Sequence, residues 1–128
     1  ISGTVAAARE AAFAGIKGVA FSHFTRRELD LDWDVAHQRL DSVLQELLSR
    51  ELATGSFWNV NLPHVEVGST APRLVDCEPD TLPLEVRYRK DEAGKLHYEG
   101  DYQGRPRVQG SDVDVCFGGN IAVSLASI

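Results

Sequence analysis

The apolar and polar positions of this chain fall into a first half with a helix–strand rhythm and a second half without one. The opening run, Ser2-Gly3-Thr4-Val5-Ala6-Ala7-Ala8-Arg9-Glu10-Ala11-Ala12-Phe13-Ala14-Gly15, is rich in alanine and ends on glycine. Alanine is the strongest helix former and glycine the usual left-handed stop, so a helix is predicted from at or just after Ser2-Gly3-Thr4 to near Gly15. Ile16 to Ser22 is a short, mostly apolar run that predicts a strand buried on both faces, fed by the helix through a tight glycine turn. Such a pair is half of a βαβ unit. A polar connection, Phe24 to Asp32, leads to a long helix predicted over Trp33 to Arg50. There Trp33, Ala36, Leu40, Val43, Leu44, Leu47 and Leu48 recur at spacings of three and four and form one apolar stripe. Asp32 or Asp34 can cap this helix, and Arg50 suits its negative end. After a return loop, Phe57 to Leu62 alternates, with Phe57, Asn59 and Asn61 on one side and Trp58, Val60 and Leu62 on the other. Two asparagines on one face of a core strand need partners, and are expected to pin neighbouring loops. Pro63 ends the strand because it has no N–H to donate.

From Val65 onward Gly, Pro and Thr punctuate the chain. Leu84 to Arg89 and Leu96 to Glu99 alternate around a turn at Lys90 to Lys95, which predicts a β-hairpin whose polar and aromatic faces suit an arm away from the core. Gly100 to Gly110 reads as a polar loop. Ser111-Asp112 can cap a short helix running to Cys116 or Phe117 and closed by Gly118-Gly119, with a strand left as the alternative by the alternation of Val113, Asp114 and Val115. Asn120 to Leu125 is the last predicted strand. The expected organisation is an α/β core over 1–64, an arm over 65–110 and a closing core element over 111–128.

Composition narrows the function. The 128 residues suit one domain, and 43% hydrophobic with 25% charged residues is an ordinary globular balance. A formal net charge of −6 disfavours a nucleic-acid backbone as partner, since that binding needs clustered Lys and Arg. No stretch of about 18 apolar residues is present to span a membrane. Cys77 and Cys116 lack metal-ligand spacing and read as reduced, buried thiols, which points to the cytoplasm.

The candidate chemistry lies in the first turn of the first helix. N–H groups there lack intrahelical partners, and the helix dipole adds roughly half a positive charge. A glycine between two hydroxyl residues, Ser2-Gly3-Thr4, would let an anion approach closely and receive donors, with phosphate the natural occupant. A Cβ at Gly3 would block that approach, and would strain the turn if φ were positive. The competing explanation is that Ser2 or Thr4 simply caps the helix. In open parallel sheets ligands bind beyond the carboxyl ends of the strands, where Ser22, His23 and His64 fall. A lone histidine there is more often a solvated loop residue than a ligand contact, and Arg26-Arg27 is more often loop surface than a phosphate site.

Three segments in order carry a family resemblance. Ser2 to Ile16, followed by Gly18-Val19-Ala20-Phe21-Ser22, resembles the signature region of the SurE family, metal-dependent acid phosphatases and nucleotidases. Trp58-Asn59-Val60-Asn61-Leu62-Pro63 is similar to that family's Asn-x-Asn-x-Pro segment. Gly110-Ser111-Asp112-Val113, Gly118-Gly119 and Val123-Ser124-Leu125 resemble its closing segment. Lys17-Gly18 departs from the family, where proline is common in this turn. The resemblance implies a Rossmann-like three-layer α/β fold of which this is the C-terminal part, with the hairpin protruding. It implies a phosphomonoester substrate, a nucleoside monophosphate above all, with Ser2, Gly3 and Thr4 on the phosphate. It implies a divalent metal ion, Mg²⁺ or Mn²⁺, whose ligands are expected upstream of Ile1, and a homodimer or homotetramer formed through the arm. No nucleophile or general base is assigned within the chain. The alternative is a catalytically inactive SurE-like oligomeric or ligand-binding module. An unrelated nucleotide-binding α/β fragment would explain the first turn but not the later matches.

Overall fold

The structure, a computed structural model, describes residues 2–128. Helix α1 (Gly3–Phe13) leads into strand β1 (Gly18–His23), and helix α2 (Trp33–Ser49) leads into β2 (Ser56–Leu62). Then come β3 (Leu74–Asp76), β4 (Tyr88–Lys90), β5 (Leu96–Tyr98), a short helix α3 (Asp112–Phe117) and β6 (Ile121–Ser127). Four strands form one sheet in the order β1-β2-β6-β3. β1 and β2 run parallel, with Gly18 opposite Phe57 and His23 opposite Leu62. β6 runs antiparallel to β2, and β3 runs parallel to β6.

Side-chain alternation on β2 decides how the layers stack. Trp58, Val60 and Leu62 face α2, where Val43 and Leu47 join Val60, Leu62, Ile121 and Val123 in the larger core cluster. Phe57 faces α1, where it packs with Ala8, Ala12 and Ala20. The result is helix, sheet, helix, in agreement with the α/β fold expected. Each large aliphatic side chain buried on the α2 side contributes about 1.5–3 kcal/mol. The α1 side buries one large ring, Phe57, among alanines and relies more on close fit. Gly18 shows how close: a Cβ on it would lie 2.6 Å from the Ala8 carbonyl oxygen and 3.2 Å from Ala8 Cα. The α1 backbone therefore rests directly on the start of β1.

The ends of α1 follow from sequence. Gly15 has φ of +72°, and the N–H groups of Gly15 and Ile16 donate to the carbonyls of Ala12 (3.0 Å) and Ala11 (2.9 Å), which closes a Schellman turn. On α2, Asp32 Oδ1 accepts from the N–H groups of Asp34 and Val35, so Asp32 is the cap. The predicted stripe on α2 holds at Ala36, Leu40, Val43 and Leu47 but not at its edges. Trp33 is 71% exposed and Leu48 59%, because the stripe is wider than the face that meets the sheet.

Beyond Pro63 the structure departs from expectation in two places and decides between alternatives in a third. β3, only three residues long, extends the core sheet from within 65–110, so that span is not wholly an arm. The hairpin ladder is shorter than the alternation suggested, although Glu99 N–H still donates to Arg87 O at 2.9 Å. Finally, Asp112–Phe117 is a helix and not a strand, because Ser111 caps it by accepting from Asp114 N–H.

Candidate functional site

α1 runs back against β1, which brings its N-terminal turn to the carboxyl ends of the two parallel strands. A cleft of about 540 Å³ opens there. Ser2 and Val5 of α1, Ser22 and His23 of β1, and Asn59 and Asn61 of β2 line one part. Phe24, Tyr102, Arg105 and Phe117 line another, beside Asp80 and Asp112. A larger groove of about 730 Å³ runs along α2 toward β3, but Arg50 within it is already tied to Asp76 at 2.6 Å and to Glu46 at 3.2 Å.

Within the first turn, Ser2 is the cap. Its Oγ accepts from Val5 N–H at 3.3 Å, and its carbonyl accepts from Ala6 N–H at 3.0 Å. The N–H groups of Gly3 and Thr4 have no partner among the described residues. Both residues sit on the exposed side of the turn, whereas Ser2 lines the cleft itself. Thr4 therefore does not cap the helix. Gly3 is not among the residues with positive φ, and a Cβ on it would meet nothing within 4 Å. The strain anticipated at Gly3 does not arise, and any need for glycine must come from a ligand.

Asn59 bonds across the sheet, not to a loop: its Nδ2 donates to Ser124 Oγ at 3.4 Å, since β6 supplies the nearest acceptor on that face. Asp80 accepts from Leu82 N–H (2.8 Å), Val108 N–H (2.9 Å) and the Ser111 hydroxyl (2.8 Å). The Leu82 amide is the strongest of these in holding its carboxyl below the ordinary value. Asp112 Oδ1 accepts from Asp80 N–H and Val113 N–H, both at 2.8 Å. Both carboxylates thus serve the backbone of the 78–113 loop. No group of three or more His, Cys, Asp or Glu among the described residues could hold a metal ion, so these residues do not fit a metal centre.

The two histidines separate. His64 is buried: its Nδ1 accepts from Arg26 N–H at 2.8 Å, and its Nε2 carries the proton toward Asp30 O at 3.2 Å. It braces the 24–32 connection from inside and does not line the cleft. His23 does line it, half-buried, with Nδ1 2.6 Å from Phe24 O and its ring 5.6 Å from that of His64. Burial pushes its pKa below the usual 6.5, the bond to Phe24 O opposes this, and the nearby His64 and Arg39 add to the fall. Above pH 6.5 the ring is neutral in both folded and unfolded chains. As pH falls below 6.5 the unfolded chain takes up a proton first, so stability should drop until the folded-state pKa is passed. Urea midpoints measured between pH 7.5 and 5 should show that fall, and His23→Gln should flatten it.

Neither cysteine is a nucleophile. Burial, aided by Asp112, pushes the Cys116 thiol up to about 12, and burial raises Cys77 as well. Tyr102, Arg105, Asp80 and Phe117 reach the cleft without any local sequence signal: the folded 100–110 loop brings the first two, the segment after β3 brings Asp80 and the end of α3 brings Phe117.

Residues 1–77 match the family described as Survival protein SurE. A Nostoc sp. (strain PCC 7120) protein bearing a provisional 5′-nucleotidase name is 54% identical over 124 residues, which cover 97% of this chain and 54% of that protein. The protein named 5′-nucleotidase SurE from Brevibacillus brevis is 31% identical over 130 residues, 96% of this chain and 47% of its own length. The crystal structure of the SurE protein from Aquifex aeolicus superposes with a TM-score of 0.69 at 21% identity, covering 98% of this chain and 51% of that one, and shows the same fold. The chain spans about half the length of these relatives. On the strength of the match over residues 1–77, the chain belongs to the SurE family.

Proposed function

We propose that this chain supplies the phosphate-binding half of a phosphatase acting on nucleoside monophosphates. The observation that carries the reading is the α1 terminus: two N–H groups without a partner among the described residues and an exposed Thr4 hydroxyl, next to Ser2, which lines the cleft, in a chain whose relatives are named 5′-nucleotidases. Gly3 N–H, Thr4 N–H and the Thr4 hydroxyl donate to phosphoryl oxygens, and Ser2 lines the pocket beside them. Positioned donors of this kind stabilise charge as it redistributes in the transition state. The reading includes a divalent ion, Mg²⁺ or Mn²⁺, held by residues outside 1–128. Neither acid of the cleft activates the attacking water in this reading, since the Asp80 and Asp112 oxygens are taken by backbone amides and the Ser111 hydroxyl, and the Cys116 thiol stays protonated. The exposed hairpin, with Tyr88 and Tyr98 packed on each other at 5.8 Å, serves as the contact of a dimer or tetramer. The proposal places the enzyme in the cytoplasm; among the described residues no helix is long and apolar enough to cross a membrane.

The test is turnover of p-nitrophenyl phosphate and nucleoside monophosphates with Mn²⁺ or Mg²⁺. The full-length protein should hydrolyse both, and purified residues 1–128 should hydrolyse neither. Activity in the isolated segment would mean that a described residue activates water. An inactive full-length protein would leave a SurE-like binding module in place of the enzyme.

A further inference from the structure

We infer that Arg105 is a second anion contact in the cleft and binds the phosphoryl group of the substrate. The inference rests on the phosphatase reading above and extends it to a residue outside the SurE-like signature. Arg105 sits in the 100–110 loop and lines the same cleft as Ser2. Its guanidinium is held in place, with Nη2 donating to Leu82 O at 3.3 Å and Cζ 5.9 Å from the Tyr102 ring centroid. Among the described residues no carboxylate closes an ion pair with it, and its Nε–H is shut away from solvent without an acceptor. Asp80 is near enough to feel its charge, but its oxygens are taken by two amides and a hydroxyl.

Arg107, two residues on, makes the contrast. It lies 5.3 Å over the Phe117 ring and is neutralised by Asp114 at 2.9 Å. The same loop thus carries one arginine with its counter-ion and one without. Leaving a charged, partly buried guanidinium short of acceptors costs free energy that the free protein does not recover. In a chain of net charge −6, a dianionic phosphate needs a local cation, and Arg105 is the arginine that lines this cleft. Its free Nη protons can meet phosphoryl oxygens in the planar, paired geometry that guanidinium offers.

The experiment uses the full-length protein with Arg105→Gln and Arg105→Lys. Arg105→Gln should raise KM for p-nitrophenyl phosphate and for a nucleoside monophosphate alike, by about tenfold or more, and weaken inhibition by inorganic phosphate in parallel. Arg105→Lys keeps the charge but not the fork and should recover part of the loss, which a purely structural role would not produce. Unchanged KM and phosphate inhibition overturn the inference while leaving the phosphatase reading intact. A loss confined to the nucleoside monophosphate also overturns it, because the guanidinium would then meet the nucleoside. If the full-length wild type hydrolyses no phosphomonoester, the phosphatase reading fails, and calorimetric titration of inorganic phosphate into wild type and Arg105→Gln still decides: weaker binding by the variant supports the contact, and equal or absent binding defeats it.

Discussion

Thr4→Val in the full-length protein should cut turnover of a phosphomonoester by roughly 10²-fold or more, by analogy with removal of one oxyanion-hole donor. The substitution keeps the branched shape and deletes one O–H. Stability should stay within about 0.5 kcal/mol, the usual range for an exposed surface change, because Ser2 and not Thr4 closes the helix end. Had Thr4 been the cap, the same change would cost about 1 kcal/mol and leave turnover nearly intact. Paired measurements of kcat and of the urea midpoint on one variant therefore separate the two roles. Unchanged turnover would defeat the phosphate site, whatever happens to stability.

Gly18→Ala should damage the protein from a greater distance. Its methyl group would be driven to 2.6 Å from the Ala8 carbonyl oxygen, and the obstacle is backbone, which no rotamer change removes. Either β1 or α1 must move. Overpacking of this sort typically costs about 1–3 kcal/mol. α1 is the element that can give, since it buries mainly alanines, whereas β1 is paired along six positions with β2. A shift of α1 carries the Ser2–Thr4 turn with it, and a displacement of about 1 Å at a positioned group can cost roughly 10²-fold in rate. Loss of stability together with a fall in kcat is the expected pair. A destabilised variant with normal kcat would defeat the expectation that the strain is relieved by moving a catalytically important α1 terminus.

The parts of this fold that follow a period were legible in the sequence. The alanine run with its glycine stop, the α2 stripe and the alternation of Phe57 to Leu62 are each long enough for burial to repeat, and the structure realises each within a residue or two. β3 was not legible because Leu74-Val75-Asp76 is too short to show alternation. It is a strand only because β6 offers Ile121, Ala122 and Val123 beside it. The short helix at 112–117 was ambiguous for a similar reason, and one cap contact from Ser111 settled it. Of the candidate site, the turn proposed to bind phosphate stood out through its residue types and its resemblance to a known signature. Arg105, Tyr102 and Asp80 did not, since their meeting with Ser2 depends on how an aperiodic loop folds back across the sheet. His64 shows the converse: its position past a strand end suggested the cleft, yet both ring nitrogens are occupied by the backbone of the 26–30 segment.

The Ser2 hydroxyl bears on the choice between capping and ligand binding. An oxygen that accepts the Val5 N–H along one lone pair must turn its own hydrogen elsewhere, away from the helix. Ser2 lines the cleft, and the bond accepted from Val5 N–H disfavours the torsions that would turn the hydroxyl hydrogen toward the helix. A free hydroxyl would lose that rotational freedom on binding, whereas this one has given part of it up during folding. On the proposed phosphate reading, helix integrity and affinity at this turn should therefore rise and fall together.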